Sequence, residues 1–302
     1  MSLCLCVRFI EGADGLDFAE IIILSISGLF TYWFLSEWYS RIINAWLPKR
    51  NKEARIVLGA LPVLSLVIIL YTLRILASFD VVDDFIFIIF YVLIGYAWLR
   101  AGMFAMFRLF DISWIDDVLD LNNGAALFTI IGSFLGLTVI YAGANVGDGP
   151  GWWCVFFAGG LGVSAWFVLI FSADRLNHVF ERISVERDLG CGLRVGAYML
   201  AAGIILGRAS AGDWTSFPKT IAEFADGWPV LIFAVFQALI ERYYINRLKA
   251  DPRAGHSGIY SSVFWAAAFI IAAIISVELL PPLPINPYYK VSAPIFTFGA
   301  FL

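Results

Sequence analysis

Chemistry needs side chains that ionise, ligate or attack, and this chain of 302 residues holds few sets of them at useful spacing. It has two histidines, His178 and His256, and four cysteines, Cys4, Cys6, Cys154 and Cys191. Paired haem ligation inside a bundle, or a three-ligand zinc site, needs more than these positions bring together. The C-x-C spacing of Cys4 and Cys6 suits neither a zinc knuckle nor a disulfide ladder, so all four cysteines read as small apolar residues. A lone histidine could hold a pigment, and 17% aromatic residues would suit one, but a surface histidine is the more ordinary reading. No Ser–His–Asp set is interpretable, and Gly147-x-Gly149, beside Asp148 and Pro150, reads as a tight turn. The sequence predicts no catalytic residue, no metal site and no cofactor. The expectation is a protein that is not an enzyme.

The elements that position these residues are unlike those of a water-soluble chain. Hydrophobic residues make up 61% and charged residues 15%, with a mean hydropathy of +0.84. Soluble proteins carry roughly a quarter charged residues, because polar side chains must cover the outside. Long apolar runs bounded by charge fall at 21–35 (extending to 39), 56–77, 85–106, 124–144, 152–173, 189–211, 228–245 and 258–280. Most are close to the roughly 20 residues that cross a bilayer as a helix, so the fold class is an all-α polytopic membrane bundle of about eight spans. The start of the chain lacks the basic stretch and the small-residue cleavage site of a signal peptide. No basic patch interleaved with aromatics occurs, so nucleic acid is not an expected partner.

Arginine and lysine set the orientation. With the N-terminus outside, 15 of the 20 basic residues fall in inner segments, including Arg50, Arg182 and Arg247, while the 24 acidic residues divide evenly. This is the positive-inside bias, and it places both termini on the non-cytoplasmic side. Trp33, Trp38, Trp46, Trp98, Trp114, Trp152, Trp153, Trp214 and Trp228 lie near span ends, where indoles sit at the headgroup layer. The tail after Leu280 holds Pro281, Pro282, Pro284 and Pro287 and cannot continue as a helix; its last stretch, 291–302, is apolar but too short to cross.

Alternate spans begin near residues 56, 124, 190 and 258, a period of about 67 residues that marks duplicated two-span units. Asn122-x-Gly124-x-Ala126-Leu127 aligns with Asp188-x-Gly190-x-Gly192-Leu193, with Asn122 and Asp188 as the polar caps of the two copies. The chain then divides into a three-span region (1–110), tandem two-span repeats (111–180 and 181–250), and a last span with its tail (251–302). Each outside-to-inside span also continues into an amphipathic stretch, marked by Trp38, Ile42 and Trp46, by Phe107, Phe110, Trp114 and Val118, by Leu176, Val179, Phe180 and Ile183, and by Tyr244 and Leu248. These stripes predict an inner interfacial layer, or ordinary connecting helices. The Asn122-x-Gly124-x-Ala126 opening, the small-residue helix after it and the second copy at Asp188 resemble the tandem domain of YjfL-like bacterial inner-membrane proteins. The resemblance covers residues 111–249 and departs in having Asp188 where the first copy has Asn. It implies a bacterial inner-membrane location and names neither a reaction nor a ligand.

Two sets of residues remain as candidates. Gly132-x-x-x-Gly136, Gly192-x-x-x-Gly196 and Gly203-x-x-x-Gly207 stack glycines on helix faces, which fits tight packing, and after that an oligomer contact or a narrow pore. Gln237, with Thr129, Ser133 and Thr138, is the other set, a polar pathway through an otherwise apolar midplane. Interfacial ion pairs are expected for Glu37 with Arg41, for Arg74 with Asp80, Asp83 or Asp84, for Arg208 with Asp213, and for Arg194 with Asp188 or Glu186. The sequence thus predicts a structural or accessory subunit of a membrane assembly, in contact with lipid and with other membrane subunits or copies of itself. The alternative is a channel or permease for a small solute or ion.

Overall fold

The computed structural model describes residues 16–44, 52–250 and 258–286. Cys4, Cys6, Trp46, His256, Pro287 and the 291–302 stretch lie outside them. Among the described residues the chain is helical, with no strand beyond an isolated bridge between Ala77 and Gly147. Seven helices are long and apolar enough to cross a membrane. They are α1 (Phe18–Ile43), α2 (Lys52–Ile75), α4 (Phe85–Phe110), α5 (Gly124–Ala144), α6 (Trp152–Asn177), α8 (Leu189–Ala209) and α11 (Ile259–Leu279). Short helices α3 (Phe79–Val82), α7 (Val179–Ser184) and α9 (Phe217–Phe224), and a π-helical turn at Trp114–Asp120, lie between them. Helix α10 (Pro229–Ala250) carries Glu241, Arg242, Arg247 and Lys249 in its second half. It forms a pair with the stretch ending at Gly227, bent by 42°, and counting that pair as one gives eight. The bend falls at Pro229, the first residue of α10, where a missing N–H leaves no bond within the helix unmade.

Several helices run past the charged residues that bound the apolar runs. α1 continues to Ile43 and α6 to Asn177, so Trp38, Ile42 and Leu176 are the last turns of long helices. Of the four expected interfacial stretches only two break off as separate segments, the π-helical turn and α7. Trp38 is fully buried, with its indole N–H donating to Leu58 O at 3.0 Å and its ring stacked 4.0 Å from Trp114. It is a core residue, whereas Trp33 and Trp228 are exposed as headgroup-level indoles should be.

The helices α2, α5, α8 and α11 form a row, each packed on the next, with α4, α6 and α10 against its sides and α1 on α4. In the apolar windows of α5 and α8, 72% and 78% is buried within the protein, against 22% for α1 and 28% for α11. These two helices are the centre. Lipid tails are as apolar as leucine, so hydrophobic burial does not draw helices together in a bilayer; close van der Waals contact does. The α5–α8 seam achieves that with glycine. A Cβ added at Gly132, Gly192, Gly196, Gly207 or Gly143 would come under 3.0 Å from a backbone oxygen of the facing helix. Gly136 and Gly203 face each other across the same seam, where a Cβ on Gly203 would meet the Gly136 Cα. Gly143 belongs with the six glycines read from sequence, though Gly147, four residues on, lies in the turn beyond α5 and not on its face.

The backbone before and after each central helix follows one pattern. α4 and α6 are each 26 residues long, and each ends in a left-handed residue, Asp111 (φ 51°) or His178 (φ 49°). A second left-handed residue, Asn122 or Arg187, precedes the cap, and α5 and α8 each run 21 residues. Asn122 is therefore not the cap: with φ 53° it stands one position ahead, and Asn123 Oδ1 accepts the Ala125 and Ala126 N–H groups at 3.0 and 3.2 Å. Asp188 does cap α8, through the Cys191 N–H at 3.0 Å. The corresponding caps, Asn123 and Asp188, lie 65 residues apart. That offset holds at Gly147 and Gly212, whose φ of 100° and 127° only glycine adopts without strain.

Those two glycines open a ladder between turns at one end of the bundle. Gly147 N–H donates to Leu76 O at 3.0 Å and Gly212 N–H to Val146 O at 2.9 Å. Asp148 Oδ1 accepts the Phe79 N–H, Asp213 Oδ1 accepts the Asp148 N–H, and Asp213 Oδ2 accepts the Asn286 N–H. Gly132→Val or Gly196→Val must force the central seam open. Each is expected to lower stability by at least about 3 kcal/mol in detergent unfolding, the upper end of overpacking costs. Gly59→Ala and Gly160→Ala, with nothing within 4 Å of the new carbon, should leave it unchanged or slightly higher.

Candidate functional site

At the opposite, arginine-rich end the chain places four charged groups inside the protein. The αL residue His178 turns the chain from α6 into α7, which carries Arg182 inward. The second αL residue, Arg187, positions Asp188 at the start of α8, and Arg194 follows within the next two turns. α10 brings Gln237, Glu241 and Tyr244, and α11 brings Ser262 in its first turn.

These groups form one network. Arg194 and Glu241 are both fully buried and meet bidentately, Nε to Oε1 at 2.7 Å and Nη2 to Oε2 at 2.8 Å. Arg194 Nη1 donates to Ser262 Oγ at 2.6 Å, and the guanidinium lies 3.9 Å over the Tyr244 ring. Arg182 bridges the two carboxylates, donating to Glu241 Oε2 at 2.7 Å and to Asp188 Oδ2 at 2.6 Å. Gln237 donates at 3.5 Å to Glu241. Two guanidinium cations face two carboxylates, so the cluster is neutral as a whole. Planar forks matched to carboxylates are the geometry that best offsets the desolvation of buried charge. Burial disfavours the Arg182 cation, but Cys191, Glu241 and Asp188 outweigh it and raise its pKa further. Burial likewise opposes the Asp188 carboxylate; the Cys191 N–H and Arg182 more than offset it and hold that carboxyl below its ordinary range.

The cluster joins α7, α8, α10 and α11, and it takes up Arg194, one of the four cations whose ion pairs were expected from spacing. Arg194 pairs with Glu241 and not with Asp188 or Glu186. Glu37 pairs with Arg100 at 2.6 Å across two helices, with Arg100 also over the Trp33 ring, so the i,i+4 partner Arg41 is not used. Arg74 donates to the Val82 carbonyl, and Arg208 to the Pro281 carbonyl. Asp213 is taken up by the turn ladder. Glu241 is the residue sequence reading missed: it falls one turn beyond Gln237 on the same face, inside a run read as nearly free of charge. A carboxylate four residues from a buried amide was the available signal.

The polar pathway separates into two places. Thr129, Ser133 and Thr138 are all fully buried in α5, each donating to a carbonyl of its own helix, Ala125, Thr129 and Phe134, at 3.0, 2.7 and 2.8 Å. Thr138 also meets Ser65 Oγ on α2 at 2.7 Å. Gln237 lies on α10 and bonds within the charge cluster. Among the described residues no three His, Cys, Asp or Glu side chains gather as metal ligands. His178 is exposed, and Cys154 and Cys191 are buried apart on α6 and α8.

No family model, curated protein or solved structure matches this chain.

The network predicts its own failure. Glu241→Ala strands Arg194 and Arg182 without their shared partner, and removing one side of a buried pair costs about 3–5 kcal/mol. Chemical unfolding should show that loss, with a smaller one for Ser262→Ala. Acid supplies a second measurement. Because Asp188 has a lowered folded pKa, its contribution is present above the ordinary carboxyl range and is lost as pH falls through the folded value. Asp117, in the π-helical turn, has the opposite sign: burial raises its pKa, so its contribution is present at low pH and lost as pH rises through the raised value. A stability–pH profile of Asp188→Asn should therefore converge on the parent at low pH, and that of Asp117→Asn should gain on the parent as pH rises.

Proposed function

We propose that this chain is a non-enzymatic structural or accessory subunit of a membrane assembly. The observation that carries the reading is the central seam, where α5 and α8 approach so closely that backbone meets backbone. A solute path between them would have to separate helices that leave no room for a methyl group. The hydroxyls that could have lined such a path are each spent on a carbonyl within their own helix. The charge cluster, paired internally and neutral, supports a fastening rather than a relay.

The same reading includes eight spans, counting the bent pair as one, with the arginine-rich ends in the cytoplasm and both termini on the other side. The common geometry around α5 and α8, repeated at an offset of 65 residues at the caps and after-turns and 67 at Asp111 and His178, supports an origin by duplication of a two-span unit. The YjfL-like resemblance over 111–249 supports a bacterial inner membrane. Apolar side chains exposed along α1, α10 and α11, such as Phe30, Phe236 and Phe264, suit lipid and the spans of other subunits. The test is reconstitution. Liposomes holding the purified protein alone should take up small neutral solutes and ions no faster than empty ones, while mild-detergent purification should retain membrane partners at fixed stoichiometry. Fast uptake by the protein alone would end this reading in favour of a channel or permease.

A further inference from the structure

The turn ladder lines a half-open cavity of about 60 Å³, bordered by residues from the turns after α2, α5 and α8 and by α6 and α9. That is room for a small ion with a water molecule or two. Its lining holds Asp80, Asp148, Asp213 and Glu223, and no lysine, arginine or histidine. Carboxylates in a row do not make a site, and most of these are occupied. Asp148 and Asp213 accept backbone N–H groups, and Glu223 lies 3.5 Å from Lys219.

Two further observations point to a ligand. Ser78, itself nine-tenths buried, lines the cavity, and its Oγ has no hydrogen-bond partner. Asp80 Oδ1, also buried, has none either. An unpaired hydroxyl and an unpaired carboxylate oxygen at one small cavity are costly unless something occupies it. The helix ends add a field. α2 ends at Ile75, α5 at Ala144 and α8 at Ala209, and residues at or just past all three ends, Ala77, Ala144 and Ala209 among them, line the cavity. Each C-terminus carries the negative end of a helix dipole, equivalent to about half an elementary charge. The N-terminus of α6, which also lines the cavity at Gly151 and Cys154, opposes one of these ends; the balance of negative helix ends, a free carboxylate oxygen and a hydroxyl attracts a cation.

We infer that this cavity binds a singly charged metal cation of the sodium class. Its donors are Ser78 Oγ, Asp80 Oδ1 and oxygens of the converging helix ends. The charge of the ligand follows from the donors. No three acidic side chains gather as metal ligands among the described residues, so the site lacks the carboxylates that a dedicated calcium cage uses. Asp148 and Asp213 keep their charge but turn carboxylate oxygens to backbone N–H groups, so Asp80 is the carboxylate with an unpaired oxygen to offer, and one anionic donor with neutral oxygens suits a singly charged ion. The cation would tie together the turns that the Asp148 and Asp213 ladder already aligns, at the end of the row opposite the arginine cluster. Binding at this site is separate from subunit assembly and makes no use of it.

The experiment uses the full chain in lipid nanodiscs, titrated with sodium chloride against N-methyl-D-glucamine chloride at constant ionic strength. Trp214 lines the cavity, so its fluorescence reports occupancy alongside the thermal midpoint. Sodium should raise the midpoint and change the fluorescence in a saturable way that the organic cation does not reproduce. Asp80→Asn should raise the half-saturating sodium concentration at least about tenfold, the worth of a charged hydrogen-bonding partner, and Ser78→Ala by less. If Asp80→Asn folds poorly, Ser78→Ala, which removes a hydroxyl with no partner, gives the same reading. No sodium-specific response in the parent, or an equal response in both variants, overturns the site.

Discussion

Where two backbones touch, no side chain can stand between them, and this condition governs the centre of the protein. In a bilayer the alternative neighbour of any apolar helix face is lipid, so a helix pair persists only if it packs better against itself than against acyl chains. α5 and α8 meet that requirement by giving up side chains along the seam. Their glycines lie at heights where the facing helix presents backbone oxygen or carbon. α2 and α11 then extend the row on either side, and α4, α6 and α10 cover it. The outermost helices, α1 and α11, bury the least of their surface.

The seam fixes the middle, and polar contacts fix the two ends. At one end the charge cluster ties α7, α8, α10 and α11 through four buried charged groups. At the other, Gly147 and Gly212 turn the chain so that Asp148 and Asp213 can take up backbone N–H groups from neighbouring turns. Both arrangements follow one rule: backbone and charge removed from water must find partners within the protein. Among the described residues, most buried polar side chains are paired within the protein.

Seven of the eight expected spans were legible as long apolar helices, because their cause is local. A run of apolar residues long enough to cross hydrocarbon is visible without knowing its neighbours, and Gly124–Ala144 falls where the run alone places it. The glycine faces were legible for the same reason, up to Gly143, which meets Gly207 although Gly147, four residues on, lies in the turn beyond α5. Partner choice was not legible. Glu37 and Arg41 stand four apart on one helix, yet Glu37 reaches Arg100, because packing α1 on α4 brings Arg100 within 2.6 Å. Arg194 lies close in sequence to Asp188, but the bidentate partner is Glu241, on a helix that only the tertiary fold sets beside it. The cap shifted by one residue because an αL position at Asn122, not the first polar residue, decides where α5 begins.

The central claim is contact between the α5 and α8 backbones in a lipid bilayer. Magic-angle-spinning NMR on glycine-labelled protein in liposomes measures it, with assignments taken from the loss of signals in single Gly→Ala variants. Through-space carbon cross-peaks between Gly132 and Gly196, and between Gly143 and Gly207, are the expected result. Their absence in spectra that show the intrahelical glycine contacts would contradict the seam, and with it the arrangement of every helix around it.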